Sequence, residues 1–162
     1  MAEGGPVARE PQNREPVYLE DLSVGQTFAT GSRTLDEAAI KAFAREFDPQ
    51  PFHLDSEAAK HTFFGSLVAS GWHTAAVTMR LLVESGVPIA GGVIGAGGSL
   101  KWPRPTYAGD TVSVRGHIAE ITPSEKRPDR GMALISTETV NQKGEVVQVM
   151  TANLIVPRRP RS

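Results

Sequence analysis

The reading of the fold turns on one stretch, Ser70-Gly71-Trp72-His73-Thr74-Ala75-Ala76-Val77-Thr78-Met79-Arg80-Leu81-Leu82-Val83-Glu84-Ser85-Gly86. Ser70 is a suitable N-cap, and Gly86 supplies a stop with Pro88 beyond it. The spacing predicts a helix from Gly71 to about Ser85. Trp72, Ala75, Ala76, Met79, Leu82 and Val83 fall on one face, while Val77 and Leu81 lie off it. A helix apolar around most of its girth is expected to be buried rather than to lie on a surface.

Upstream of that helix the pattern is also helical. Thr34 and Glu37 have the spacing of a capping box, and Ile40, Phe43, Ala44 and Phe47 then line one helix face. Pro49 ends this segment, and Pro51 is expected to keep the following residues extended. Asp55 reads as the N-cap of a short helix through about His61.

Downstream the period changes to two. Val112, Val114 and Ile118 alternate with Ser113, Arg115 and His117. Met132 to Val140 and Val146 to Val156 are two more β-rich runs, with Asn141 to Gly144 as a hairpin turn between them. Gly95 to Tyr107 reads as a further strand, in which Gly97-Gly98 suits close approach of a backbone or ligand. The Phe28 region offers a short opening strand. A buried helix followed by antiparallel strands is an α+β layout. A sheet wrapped around a central helix satisfies the pattern, although periodicity alone leaves other α+β topologies open.

Length and composition bound the function. The 162 residues suit one domain, with 40% apolar residues and no internal repeat. The chain has no cysteine, which excludes disulfides, Cys-based zinc sites, iron–sulfur clusters and a cysteine nucleophile. Its 17 basic and 18 acidic residues leave a formal charge of −1, with no long-range attraction for nucleic acid. No apolar run approaches the roughly 18 residues of a membrane span, and no secretory signal is read at the start. A cytoplasmic protein with neither nucleic-acid nor membrane partner is expected. Residues 1–16 read as a flexible arm, 17–156 as the domain, and Pro157 to Ser162 as a solvated basic tail.

Two segments carry candidate chemistry. In Asp48-Pro49-Gln50-Pro51-Phe52-His53-Leu54-Asp55 a carboxylate and an imidazole sit on one loop stiffened by two prolines. Such a pair can hold a water molecule and move its protons, and the rigid prolines lower the entropy cost of alignment. The plainer reading is that Asp48 braces a turn and His53 lies on the surface. The second segment is Ser70-Gly71-Trp72. A helix N-terminus offers free N–H groups and about half a positive charge, so the Gly71 N–H could stabilise an enolate-like oxyanion. The plainer reading here is capping by Ser70. His61, His73 and His117 have no partner at metal-ligand spacing, and no metal is expected. Trp72 and Trp102 read as packing residues, and no P-loop or nucleophile-elbow motif occurs.

Together these segments resemble the MaoC-like, (R)-specific enoyl-CoA hydratases of the hotdog fold. The residues that carry the resemblance are Asp48, Gln50, Pro51, His53 and Asp55, then the turn Phe64 to Gly71, then Trp102-Pro-Arg-Pro-Thr-Tyr-Ala-Gly-Asp110. It spans roughly Tyr18 to Val156. Gln50 stands where the family has Asn, Phe47 where it has a small residue, and Ser70 where many relatives have His. The resemblance implies a single hotdog domain that adds water to a 2-enoyl thioester, or removes it from a (3R)-3-hydroxyacyl thioester. Asp48, His53 and the Gly71 N–H would be catalytic, with Gln50, Phe52, Ser70 and Trp72 binding substrate. It implies an acyl-CoA or acyl-carrier thioester as substrate, no metal or redox cofactor, and a homodimer or higher homo-oligomer. The alternatives are a non-catalytic acyl-thioester binding protein, which Gln50 keeps open, and a hotdog thioesterase, which the Asp–His spacing disfavours.

Overall fold

The computed structural model describes residues 14–162. The expected arm therefore lies outside the described residues up to residue 13. Of its last residues, 14–16, Arg14 is held, because the guanidinium donates to the carbonyls of Gly86 and, at 3.1 Å, Glu84.

A short 3-10 turn, Leu19–Asp21, precedes β1 (Thr27–Thr34). Then come α1 (Glu37–Phe47), two single-turn helices α2 (Pro51–Leu54) and α3 (Ser56–Ala59), and the long α4 (Gly71–Ser85). Four strands follow: β2 (Ile94–Lys101), β3 (Thr111–Pro123), β4 (Arg130–Val140) and β5 (Val146–Pro157). They form one five-stranded sheet in the order β1-β3-β4-β5-β2, with every neighbouring pair antiparallel.

The expected alternation sets the covered face of this sheet. Val112, Val114 and Ile118 on β3 are buried, as are Ala133 and Ile135 on β4. Val77, Leu81 and Leu82 of α4 join Val112, Val114 and Val147 in one core cluster. The Asn141–Gly144 turn closes the β4–β5 hairpin through Asn141 N–H to Glu145 O at 2.9 Å. Gly144 takes the left-handed φ of 76° that this turn requires. At Gly98 the reason for glycine is close backbone approach, since a Cβ there would collide with the Thr151 carbonyl of β5.

Several expectations are corrected. The buried side of α4 carries His73, Thr74, Val77, Thr78, Leu81 and Leu82. Trp72, Met79 and Val83, expected on the core face, are 63%, 42% and 50% exposed. One sheet covers only one face of a helix. Thr74 and Thr78 can occupy that face because their hydroxyls are bonded there, Thr74 to Thr106 and Thr78 to Thr139. The N-cap of α1 is Asp36, which accepts from the Ala39 N–H at 2.7 Å. Thr34 instead continues β1 and pairs with Thr111. Pro51 opens α2 at its first helical position, where a missing N–H costs nothing, so the chain there is helical rather than extended. β2 stops at Lys101, because Pro103 and Pro105 cannot donate to a ladder. The tail is partly docked: Arg158 pairs with Glu20 at 2.9 Å and Arg159 with Asp21 at 2.7 Å.

Candidate active site

Asp48 is the C-cap of α1, and its N–H bonds the Ala44 carbonyl at 2.9 Å. The chain then turns through Pro49. His53 N–H bonds Gln50 O at 3.0 Å, which closes α2 and directs the imidazole inward, where it is 5% exposed. From the other side, Val68 N–H bonds Phe52 O at 3.0 Å. This clamp brings the Leu67–Ser70 approach to α4 alongside the elbow.

The side chains meet there. His53 Nε2 lies 3.2 Å from Asp48 Oδ2. His53 Nδ1 lies 2.7 Å from the Val68 carbonyl. A carbonyl can only accept, so Nδ1 carries the proton and Nε2 is the exchangeable position facing the carboxylate. Ser70 Oγ donates to Asp48 Oδ2 at 2.7 Å, and Gln50 Nε2 donates to Oδ1 at 2.6 Å. Burial opposes the charge on Asp48. The hydrogen bonds from Ser70 and Gln50 and the neighbouring His53 outweigh it, and the carboxyl titrates below its ordinary range. Ser70 is thus not a side-chain cap: its hydroxyl is spent on Asp48, while its carbonyl starts α4 by accepting from Thr74 N–H at 3.1 Å.

A cavity of about 410 Å³ opens beside this pair. Asp48, Phe52, His53, Ser70, Gly71 and Trp72 all line it. Of the seven residues expected to be catalytic or to bind substrate, Gln50 alone is absent from the wall, and its amide serves the carboxylate. The first N–H groups of α4 have no intrahelical acceptor, and Gly71, the first residue of that helix, lies in the cavity wall. Glycine is required at this point, since a Cβ would lie 2.7–2.9 Å from three ring atoms of Trp102.

Phe63, Phe64, Trp102 and Arg104 also line the cavity, although the sequence placed none of them in a site and read Trp102 as a packing residue. The signal for the Trp102 segment was its two prolines, which end β2 and release the chain toward α4. Asp55 caps α3 as expected, accepting from Glu57 and Ala58 N–H. His73 stands apart from the pair, with its ring stacked on Phe43 at 4.7 Å. Burial, assisted by the Arg33 charge, lowers its pKa, and its buried Nδ1 has no partner among the described residues. Among the described residues, no group of three or more carboxylate and imidazole side chains could hold a metal ion. Among them too, no helix is long and apolar enough to cross a membrane.

A sheet packed on one long helix, with a carboxylate–imidazole pair at the helix mouth, defines a hotdog domain. The chain belongs to the MaoC-like dehydratase family: the family model described as a MaoC like domain matches residues 21–140. It is similar to YdeM, an uncharacterised protein of Bacillus subtilis, with 33% identity over 77% of this chain and 88% of that one. It is 31% identical to an (R)-specific enoyl-CoA hydratase of Rhodospirillum rubrum, over 88% of this chain and 93% of the relative. The crystal structure of a MaoC-like dehydratase from Rhodospirillum rubrum superposes with a TM-score of 0.87 at 58% identity, covering 90% of this chain and 99% of that one. These relationships support a hydratase or dehydratase role.

Proposed function

We propose that this chain catalyses the reversible hydration of a trans-2-enoyl thioester, CoA-linked, to the (3R)-3-hydroxyacyl thioester. The observation that carries the proposal is the Asp48–His53 pair, 3.2 Å apart, in the same cavity as the N-terminus of α4. The (3R) outcome and the CoA carrier are taken from the Rhodospirillum rubrum relative named as an (R)-specific enoyl-CoA hydratase.

The chemistry follows from the groups present. The thioester carbonyl accepts from the Gly71 N–H, at the end of α4 that carries partial positive charge. Electron density withdrawn through the conjugated system leaves C3 electrophilic. Asp48 and His53 hold a water beside C3. The pair takes one proton as the oxygen bonds to C3, and it delivers a proton to C2 as the enolate-like oxyanion collapses. Asp48 and His53 lie 3.2 Å apart and act together, so the acid and base roles are assigned to the couple and not to either residue. Ser70 and Gln50 keep the carboxylate ionised and aimed. Addition of water is redox-neutral, and the proposal includes no metal or redox cofactor.

The proposal includes a homodimer. Trp72, Met79 and Val83 leave an exposed apolar stripe on α4, and β2 is an outer strand of the sheet with Ile94 52% exposed. A second copy joining at β2 extends both sheets and covers apolar surface that one chain leaves in water. Sedimentation equilibrium at micromolar protein is expected to give twice the chain mass.

The reaction is tested with a short trans-2-enoyl-CoA, following the conjugated-thioester absorbance and free thiol in parallel. Loss of absorbance without thiol is the expected outcome. Thiol release, or binding with no chemical change, overturns the proposal.

A further inference from the structure

The hydratase reading leaves a buried amide without a task. Gln148, on β5, is fully buried, and both ends of its amide are bonded. Oε1 accepts from the Trp102 indole N–H at 3.0 Å. Nε2 donates to Thr78 Oγ1 at 3.0 Å, and that hydroxyl also bonds Thr139 Oγ1 at 2.7 Å and the Thr74 carbonyl at 2.9 Å. An apolar side chain of similar size would fill the same space without the desolvation cost of an amide, so packing alone does not require glutamine.

What the amide does is tie Trp102 to α4. Trp102 sits just beyond the end of β2, is followed by a proline, and is 41% exposed. Its ring lies against Gly71 so closely that a Cβ there would meet Cε2, Cδ2 and Cζ2 at 2.7–2.9 Å. It also meets Trp72 edge-on, with centroids 5.4 Å apart. The ring therefore forms the wall over the helix end where the thioester oxygen is proposed to bind.

We propose that Gln148 is a positioning residue: by holding the Trp102 indole N–H while anchored to Thr78, it fixes the width of the thioester slot above Gly71. The inference rests on the hydratase reading for the occupant of that slot. The tether excludes water from the Gly71 N–H and keeps its hydrogen bond to the oxyanion short, so its loss falls mainly on kcat. Misplacement of a group in contact with the reacting carbonyl gives an expected loss on the order of 10-fold.

The test combines kinetics with a spectroscopic signature. The chain contains 2 tryptophans, so a Trp72→Phe background leaves Trp102 as the sole emitter. In that background, Gln148→Leu is expected to red-shift the emission and increase quenching by acrylamide. In the otherwise unmodified protein, Gln148→Leu and Trp102→Phe are each expected to lower kcat roughly 10-fold, and the double variant to lose no more than either alone. Unchanged quenching, kcat within twofold of the parent for a folded Gln148→Leu, or additive losses overturns the tether. If Gln148→Leu does not fold, Trp102→Phe decides, and full kcat in that variant overturns the proposal. Parent protein without hydration activity defeats the hydratase reading instead, and the quenching comparison, which needs no turnover, still decides the tether.

Discussion

The two ends of α4 lie over the same sheet and could hardly differ more. At the N-terminal end a cavity of about 410 Å³ is walled by Asp48, His53, Ser70 and aromatic rings. At the C-terminal end, Leu82, Val87, Ile89, Phe28, Ile118 and Ile135 close on a void of about 20 Å³ with an apolar lining. That void has room for about one water but offers it almost no polar surface, which disfavours hydration. The difference lies in the side chains at each end. Ser70 and Gly71 are small and leave backbone N–H groups bare, whereas Leu82 and its neighbours fill space and offer no polar atom. The dry end contributes stability, and the wet end contributes a place for a polar reaction.

The largest expected effect is at the wet end. Asp48→Asn and His53→Ala should each lower turnover of a trans-2-enoyl-CoA at least ~100-fold, with the melting temperature near that of the parent. Turnover within a few-fold of the parent in both variants would erase the distinction between the ends.

The converse substitution is at the dry end. Leu82 is 5% exposed and lines the small void. Leu82→Ala should cost about 2–5 kcal/mol of stability in urea unfolding while turnover per folded molecule stays unchanged. A Leu82→Ala protein that is fully stable but inactive would mean that the two ends are functionally coupled.

A smaller effect separates aim from charge. The Asp48 carboxyl is held below its ordinary pKa, against burial, by Ser70, Gln50 and His53. A carboxyl depressed in the folded state favours folding above its unfolded value of about 3.9, and that contribution fades as pH falls through the folded value. Ser70→Ala removes one of these hydrogen bonds, so the acid limb of kcat/KM should move to higher pH. A pH–rate profile that keeps its acid limb in place would show that Ser70 does not hold the carboxylate.

The smallest expected effect concerns His73, which shares the helix face with Thr74 and Val77 but takes no part in the pair. Burial lowers its pKa, so the unfolded chain binds protons more readily than the folded one. Stability should therefore fall as pH drops below about 6.5, the unfolded value, and His73→Phe should flatten that fall. Urea midpoints at pH 5 and pH 7 measure it, and an equal slope in both proteins contradicts it.

Much of this molecule is legible in single segments. The limits of α4, the Asp48–His53 elbow and the β3 alternation all depend on residues within a few positions of each other, and each is found where its pattern puts it. The failures have a common form. Ser70 at a helix start can bond its own first turn or reach elsewhere, and the nearby end of α1 decides for Asp48. Thr74 and Thr78 obscure the apolar stripe, because a threonine looks polar until its hydroxyl finds a partner on another element. Arg158 and Arg159 read as a free basic tail because their acidic partners, Glu20 and Asp21, lie at the other end of the chain.

The sequence by itself determined where α4 begins and stops, which β3 residues share a face, and that a carboxylate and an imidazole lie close together on a proline-stiffened elbow. These depend on helix and strand periods and on proline geometry, all of which act over a turn or two of chain. Tertiary structure alone decided which face of α4 the sheet covers, that Ser70 serves Asp48, and that Gln148 joins Trp102 to the helix. Those contacts link residues 22, 46 and 70 positions apart, and no local pattern encodes them. They exist because packing α4 onto the sheet takes water from polar groups, which must then find partners wherever the fold has brought them.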